Sequence, residues 1–178
     1  MDLKDILFPA TPGQWTFTVL DGAALPELRG ILQQMKPEHA CLYRGALPDD
    51  IAQVAPYLVR LQTRHKFTRW VLEEVWGKHC GIFGLVSDDI TLTILRRHFR
   101  RFTKVKSEDG RTLLFRFYDP RVWSPYIVTC NPEELEFVFG SVAKILCEDK
   151  NGLDVLQYSR AAGKLIEEHI TLESYSPA

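Results

Sequence analysis

The stretch Gly81-Ile82-Phe83-Gly84-Leu85-Val86 carries no polar side chain, and it limits the folds open to this chain more than any other run. An extended segment that is apolar on both faces has to be covered on both faces, which makes it a central strand with layers on either side. The flanking sequence supplies such layers. Thr68 is a fitting cap for a helix through Trp70, Val71, Glu74 and Val75 that ends around Gly77, and Ser87 or Asp88 caps a second helix. In that second helix Leu92, Leu95, Phe99 and Phe102 recur at spacings of three and four, forming one buried stripe.

Elsewhere the periodicity is also readable. Residues 15–20 alternate as in a half-buried strand closed by the Asp21-Gly22 turn, and Pro26 opens a helix in which Leu28, Ile31, Leu32 and Met35 share one face before Lys36-Pro37 ends it. Short strands are expected at residues 40–43 and 55–61, with a loop or helical turn at 47–54. The Glu108-Asp109-Gly110 turn makes residues 104–106 and 111–118 a hairpin. Asn131-Pro132-Glu133-Glu134 is a helix start, with a cap, a proline and two acids in sequence. Residues 141–147 and 153–158 read as strands joined by Asp149-Lys150-Asn151-Gly152, and residues 164–178 read as a short helix or a mobile tail. The pattern predicts one α/β domain over residues 1–178, a mixed β-sheet flanked by helices.

The most unusual stretch is Leu113-Leu114-Phe115-Arg116-Phe117-Tyr118-Asp119-Pro120-Arg121-Val122. Its alternation puts Leu113, Phe115 and Phe117 on one strand face and Leu114, Arg116 and Tyr118 on the other. Pro120 lacks an amide hydrogen for the ladder, so the strand is expected to end in a corner that sets the Asp119 carboxylate beside Arg116 and Arg121.

Composition excludes several classes. The chain has 178 residues, 46% of them hydrophobic, which is enough for a sizeable core. Its 22 lysines and arginines against 23 acids give a net charge of -1 and no global attraction to nucleic acid or an anionic membrane. Cys41, Cys80, Cys130 and Cys147 lack paired spacing and read as reduced structural thiols, which suits a cytoplasmic protein. The N-terminus is not a signal peptide, and no apolar run is long enough for a transmembrane helix.

Three constellations carry chemistry. Arg96, Arg97, Arg100 and Arg101, with His98 and Lys104 nearby, form a dense basic helix face that could neutralise phosphates, bind an acidic partner, or stand solvated. Arg116, Asp119 and Arg121 could hold an anionic ligand, but the group lacks a nucleophile or base, and a structural clamp formed by bidentate pairing is the simpler reading. His79-Cys80 lacks further metal-ligand spacing, and Gly77, Gly81 and Gly84 surround a strand rather than open a helix, so no metal or cofactor is expected.

Taken in order, Leu20-Asp21-Gly22-Ala23, Leu42-Tyr43, Ala55-Pro56-Tyr57-Leu58-Val59, Gly81-Ile82-Phe83, Leu95-Arg96-Arg97-His98-Phe99-Arg100-Arg101-Phe102 and Phe115-Arg116-Phe117-Tyr118-Asp119-Pro120-Arg121-Val122 resemble the bacterial domain of unknown function numbered four-one-two-three. Its members look like chaperones, or adaptors, of type VI secretion effectors. The resemblance implies a non-enzymatic cytoplasmic protein that binds the N-terminal region of a cognate secreted effector. It further implies a role in loading that effector onto the valine-glycine repeat spike. Such a protein needs an apolar groove with a charged rim, in one lobe or between two. Arg96, Arg97, Arg100, Arg101, Arg116 and Arg121 are the candidate partner contacts, and Phe115, Phe117, Tyr118, Asp119 and Pro120 the structural motif. The alternatives are an enzyme using Arg116, Asp119 and Arg121 on an anionic ligand, and a nucleic-acid-binding module using the Arg96 to Arg101 helix.

Overall fold

The computed structural model describes residues 1–106 and 109–173. The chain begins with α1 (Leu3–Leu7), β1 (Gln14–Asp21), α2 (Leu28–Met35), β2 (His39–Cys41), α3 (Asp49–Val54) and β3 (Pro56–Leu61). It continues through α4 (Lys66–Trp70), a π-helical segment (Val71–Val75), β4 (Gly81–Ser87), α5 (Leu92–Phe99), β5 (Lys104–Lys106) and β6 (Thr112–Leu114). Helices α6 (Pro120–Ile127) and α7 (Pro132–Phe139) precede three strands, β7 (Val142–Glu148), β8 (Val155–Ala161) and β9 (Lys164–Ile170).

Seven strands form one sheet in the order β2-β3-β1-β4-β7-β8-β9. The α/β class with helices flanking a sheet is therefore the observed one, and each described pairing within the sheet is antiparallel. β4 stands at its centre, which accounts for the apolar run: Ile82 and Val86 pack on one face, Phe83 and Leu85 on the other. The first face is covered by Leu95 and Phe99 of α5, Trp123 and Ile127 of α6, and Leu135 and Phe139 of α7. The second is covered by Leu3 and Leu7 of α1, Leu28 and Leu32 of α2, Phe67 of α4 and Val71 and Val75 of the π-helical segment. Each fully buried Leu or Phe contributes about 1.5–3 kcal/mol, so these two layers dominate the stabilising terms.

A bulge resolves one parity problem. Leu85 pairs with Lys144 but Val86 pairs with Val142, so one extra residue in β7 returns Val142 to the face that holds Ile145 and Cys147.

Several local expectations change. His65, not Thr68, caps α4, accepting the Phe67 amide at 3.1 Å, while Thr68 Oγ1 accepts the Gln62 amide at 3.1 Å. Thr91 rather than Ser87 or Asp88 caps α5. The hairpin forms as β5 and β6, with its turn residues 107–108 outside the described residues. β6 ends at Leu114, so the strand expected as far as Tyr118 is short, and Leu113 is exposed instead of anchoring the core. Asn131 and Glu134 complete a reciprocal capping box at α7. Beyond Gly163 there is no helix or loose tail as far as Ile170: β9 pairs with β8 along its whole length. The rest of that expectation, residues 174–178, lies outside the described residues. Among the described residues no helix is long and apolar enough to cross a membrane, and the four cysteines are free thiols.

Candidate functional site

The stretch Phe115 to Asp119 is a turn leading into α6 rather than a strand. The Phe115 amide donates to the Thr103 carbonyl at 3.1 Å and the Asp119 amide to the Arg116 carbonyl at 2.9 Å. The turn lets the adjacent Phe117 and Tyr118 both bury, where strand alternation would send them to opposite faces. Phe117 stacks on Phe99 with ring centres 5.3 Å apart, and Phe115 meets Tyr126 edge-on. Pro120 does not stop a strand; it occupies the first turn of α6, where its missing amide hydrogen is harmless.

Asp119 caps that helix and clamps it. Its carboxylate accepts the Arg121 amide at 3.0 Å and the Arg121 guanidinium at 2.9 and 2.8 Å. Burial by itself raises the Asp119 carboxyl, but the side-chain and amide bonds from Arg121, with Arg116 nearby, hold it below the usual carboxylate range. Arg116 turns the other way. It pairs with Asp21, a buried carboxylate at the end of β1, and lies 3.7 Å from Asp119. Two guanidiniums thus face two carboxylates, so the corner has little uncompensated charge for a ligand. Burial, with Tyr43 and Asp21 nearby, pushes the Tyr118 hydroxyl up and keeps it neutral.

The basic helix divides into two pairs. The chain leaves the sheet after β2, and the carbonyls of Cys41, Leu42 and Tyr43 need donors. Arg96 Nε donates to Cys41 O at 2.9 Å and Arg100 Nε to Leu42 O at 3.0 Å, with Arg100 Nη2 reaching Cys41 O and Tyr43 O. These two arginines staple α5 to the end of β2 rather than forming a free rim. Arg97 and Arg101 are exposed, and Arg101 lies over the Phe137 ring at 4.0 Å. His98, expected on the basic surface, points inward: its Nε2–H donates to Val138 O at 2.8 Å, and burial lowers its pKa.

Beside this staple lies a groove of about 620 Å³ between the segment after β2, α3, the end of α5 and the hairpin. Leu42, Tyr43, Leu47, Ile51 and Leu114 supply its apolar surface; Arg44, Arg100, Arg101 and Lys104 supply its charge, and among the described residues no acidic one lines it. Ile51 and Leu114 are 41% and 62% exposed, an uncommon solvation of large apolar side chains gathered in one concavity. A smaller hollow bounded by Arg44, Arg96, Arg97 and Arg100 extends the basic surface. The groove brings together Arg100 and Arg101 from the expected set and leaves Arg116 and Arg121 out. Sequence reasoning passed over Asp21, Arg44, Leu47 and Ile51. The available signal was the apolar pair Leu47 and Ile51 at helical spacing within a segment read as a loop or helical turn, which α3 partly fills.

No curated protein and no solved structure matches the chain. A family model described as "Domain of unknown function (DUF4123)" matches residues 16–136, a span that holds the whole groove, the arginine staple and the Asp21–Arg116–Asp119–Arg121 corner. These features therefore lie within the shared domain, and the chain belongs to that family.

Proposed function

We propose that this protein is a cytoplasmic adaptor that binds the N-terminal region of a type VI secretion effector and promotes its loading onto the valine-glycine repeat spike. One observation carries the reading: an apolar groove whose charged lining, among the described residues, is basic throughout. Such a surface suits an amphipathic partner segment with acidic flanks, its apolar side chains entering between Ile51 and Leu114 and its carboxylates meeting Arg97, Arg101 and Lys104. The resemblance of the arginine helix and the FRFYDPRV stretch to effector chaperones supplies the identity of the partner. The internal pairing of Arg116 and Arg121 with Asp21 and Asp119 makes an anionic substrate at the corner the weaker reading.

The test is co-expression with the neighbouring open reading frame, followed by co-purification. Arg97→Glu combined with Arg101→Glu is expected to weaken capture at least tenfold while thermal stability changes by less than about 1 kcal/mol, since both side chains are exposed. Unchanged capture by the double variant would sink the groove assignment. Failure of the wild-type protein to retain any effector or spike component would sink the adaptor reading itself.

A further inference from the structure

The hollow beside the arginine staple, about 360 Å³, is lined by Arg44, Thr93, Arg96, Arg97 and Arg100. Four guanidiniums gather there, and among the described residues no carboxylate lines the site. The concavity on the far side of the Asp119 corner, about 690 Å³ against β8 and β9, is the contrasting case, with Glu148, Asp149 and Glu167 set beside Arg121 and Lys150. Charge in the arginine hollow has no such balance.

Two of the four guanidiniums are fixed by the backbone. Arg96 donates through Nε to Cys41 O, and Arg100 donates through Nε and Nη2 to the carbonyls of Leu42, Cys41 and Tyr43. Both terminal nitrogens of Arg96 and the Nη1 of Arg100 donate to nothing among the described residues, so each fixed head keeps an unspent edge. Arg44 and Arg97 are exposed and make no hydrogen bond or ion pair among the described residues. Burial, with Arg96 and Arg44 close by, lowers the pKa of the Arg100 guanidinium, and an arriving anion would relieve the repulsion among these like charges. Complementing the negative end of the α5 dipole accounts for Arg96 and Arg97, which stand in its last turn. It does not account for Arg44, which comes from the segment after β2.

We propose that this hollow binds a phosphoryl group carrying two negative charges, with the unspent nitrogens of Arg96 and Arg100 as its fixed donors and Arg44 and Arg97 completing the set. Charge and shape decide among the anions. A carboxylate brings one charge and two oxygens, whereas a phosphate monoester brings about -1.5 to -2 at pH 7 and three strong acceptor oxygens. Planar guanidinium forks pair with such oxygens two at a time. A nucleic-acid strand is disfavoured because its phosphates need a track of cations, and here the cations meet in one hollow on a chain of net charge -1. The site stands whatever fills the apolar groove. The two share Arg44 and Arg100, so an apolar group attached to the phosphate would lie toward the groove.

Isothermal titration calorimetry of the full chain with inorganic phosphate, at fixed ionic strength and mildly alkaline pH, tests this. Saturable binding is expected, at least tenfold tighter than that of acetate. Arg44→Gln and Arg97→Gln should each weaken it at least fivefold; both side chains are exposed and unpaired among the described residues, so neither should move the unfolding midpoint in urea. Arg64→Gln removes the same charge from a separate hollow beside α4 and should leave phosphate binding unchanged. Phenyl phosphate separates two sources of the same chemistry: an affinity equal to that of inorganic phosphate supports a free phosphate, and one at least tenfold higher supports a phosphate carried on an organic group. Absence of saturable binding, acetate binding as tight as phosphate, unchanged binding in both Arg44→Gln and Arg97→Gln, or a loss in Arg64→Gln as large as theirs would overturn the proposal.

Discussion

Asp119 holds three structural roles in one side chain: helix cap, bidentate partner of Arg121 and neighbour of Arg116. Removing it as Asp119→Ala should cost roughly 2 kcal/mol, the upper part of the range for a lost cap, because Arg116 and Arg121 also lose a counter-charge. Asp119→Asn retains the cap and should cost about half as much. The pH dependence has a definite sign. A carboxyl held below its unfolded value of 3.8 contributes stability that is complete above that value and lost as pH falls through the lower folded value. Urea titrations at neutral pH and in the acid range check this: a wild-type advantage over Asp119→Asn that persists unchanged at the lowest pH would refute the clamp. The pairing of Asp119 with Arg121 was legible because the residues are two apart and Pro120 restricts the chain between them. The pairing of Arg116 with Asp21 was not, since 95 residues separate them and no local pattern links an Asp-Gly turn to a distant arginine.

Among the elements, those with one apolar stripe or a wholly apolar run were legible: β1, β4, α2, α5 and α7 each stand close to where periodicity put them. β9 was not, because neither of its faces is consistently buried; its backbone ladder with β8 holds it in place, and hydrogen bonding leaves no side-chain pattern. The FRFY segment misled for the opposite reason. Alternating aromatics imitate a strand, while the true signal was Asp followed by Pro, a cap and a first helical turn. Gly84 shows how tightly the central strand is built. A Cβ there would lie 2.5 Å from Phe17 Cζ and 2.6 Å from the Lys144 carbonyl oxygen, so Gly84→Ala must displace an aromatic ring or a neighbouring strand. It should lower stability by about 1–3 kcal/mol in urea unfolding. Gly30, inside α2, where an added Cβ would meet nothing within 4 Å, is the control: Gly30→Ala should leave stability equal or raise it by about 0.5–1 kcal/mol. Equal effects at the two sites would contradict the packing described for β4.

At the scale of the molecule, a net charge of -1 conceals a division of charge between the two edges of the sheet. The basic groove stands where the chain leaves β2, and the carboxylate-rich cavity stands against β8 and β9. Five strand-to-strand steps separate β2 from β8, roughly 24 Å at the usual spacing, beyond the range at which substitutions normally couple. The stretch from Leu114 to Arg121 joins them, lining the groove at one end and the cavity at the other, with Arg116 fixed to the end of β1 between. Strand order and this division were illegible beforehand because both arise from tertiary pairing. They make the groove and the far edge of the sheet separable by one truncation. Ending the chain after Gly163 removes β9, and with it Glu167 and His169 from the cavity, and Leu165 and Ile170 from their packing against the two cores. The newly exposed β8 edge should lower the unfolding midpoint and promote self-association, an effect to be measured by thermal melts and light scattering. Per folded molecule, effector capture through the groove should survive, and its loss would mean that the two edges of the sheet act as one binding surface.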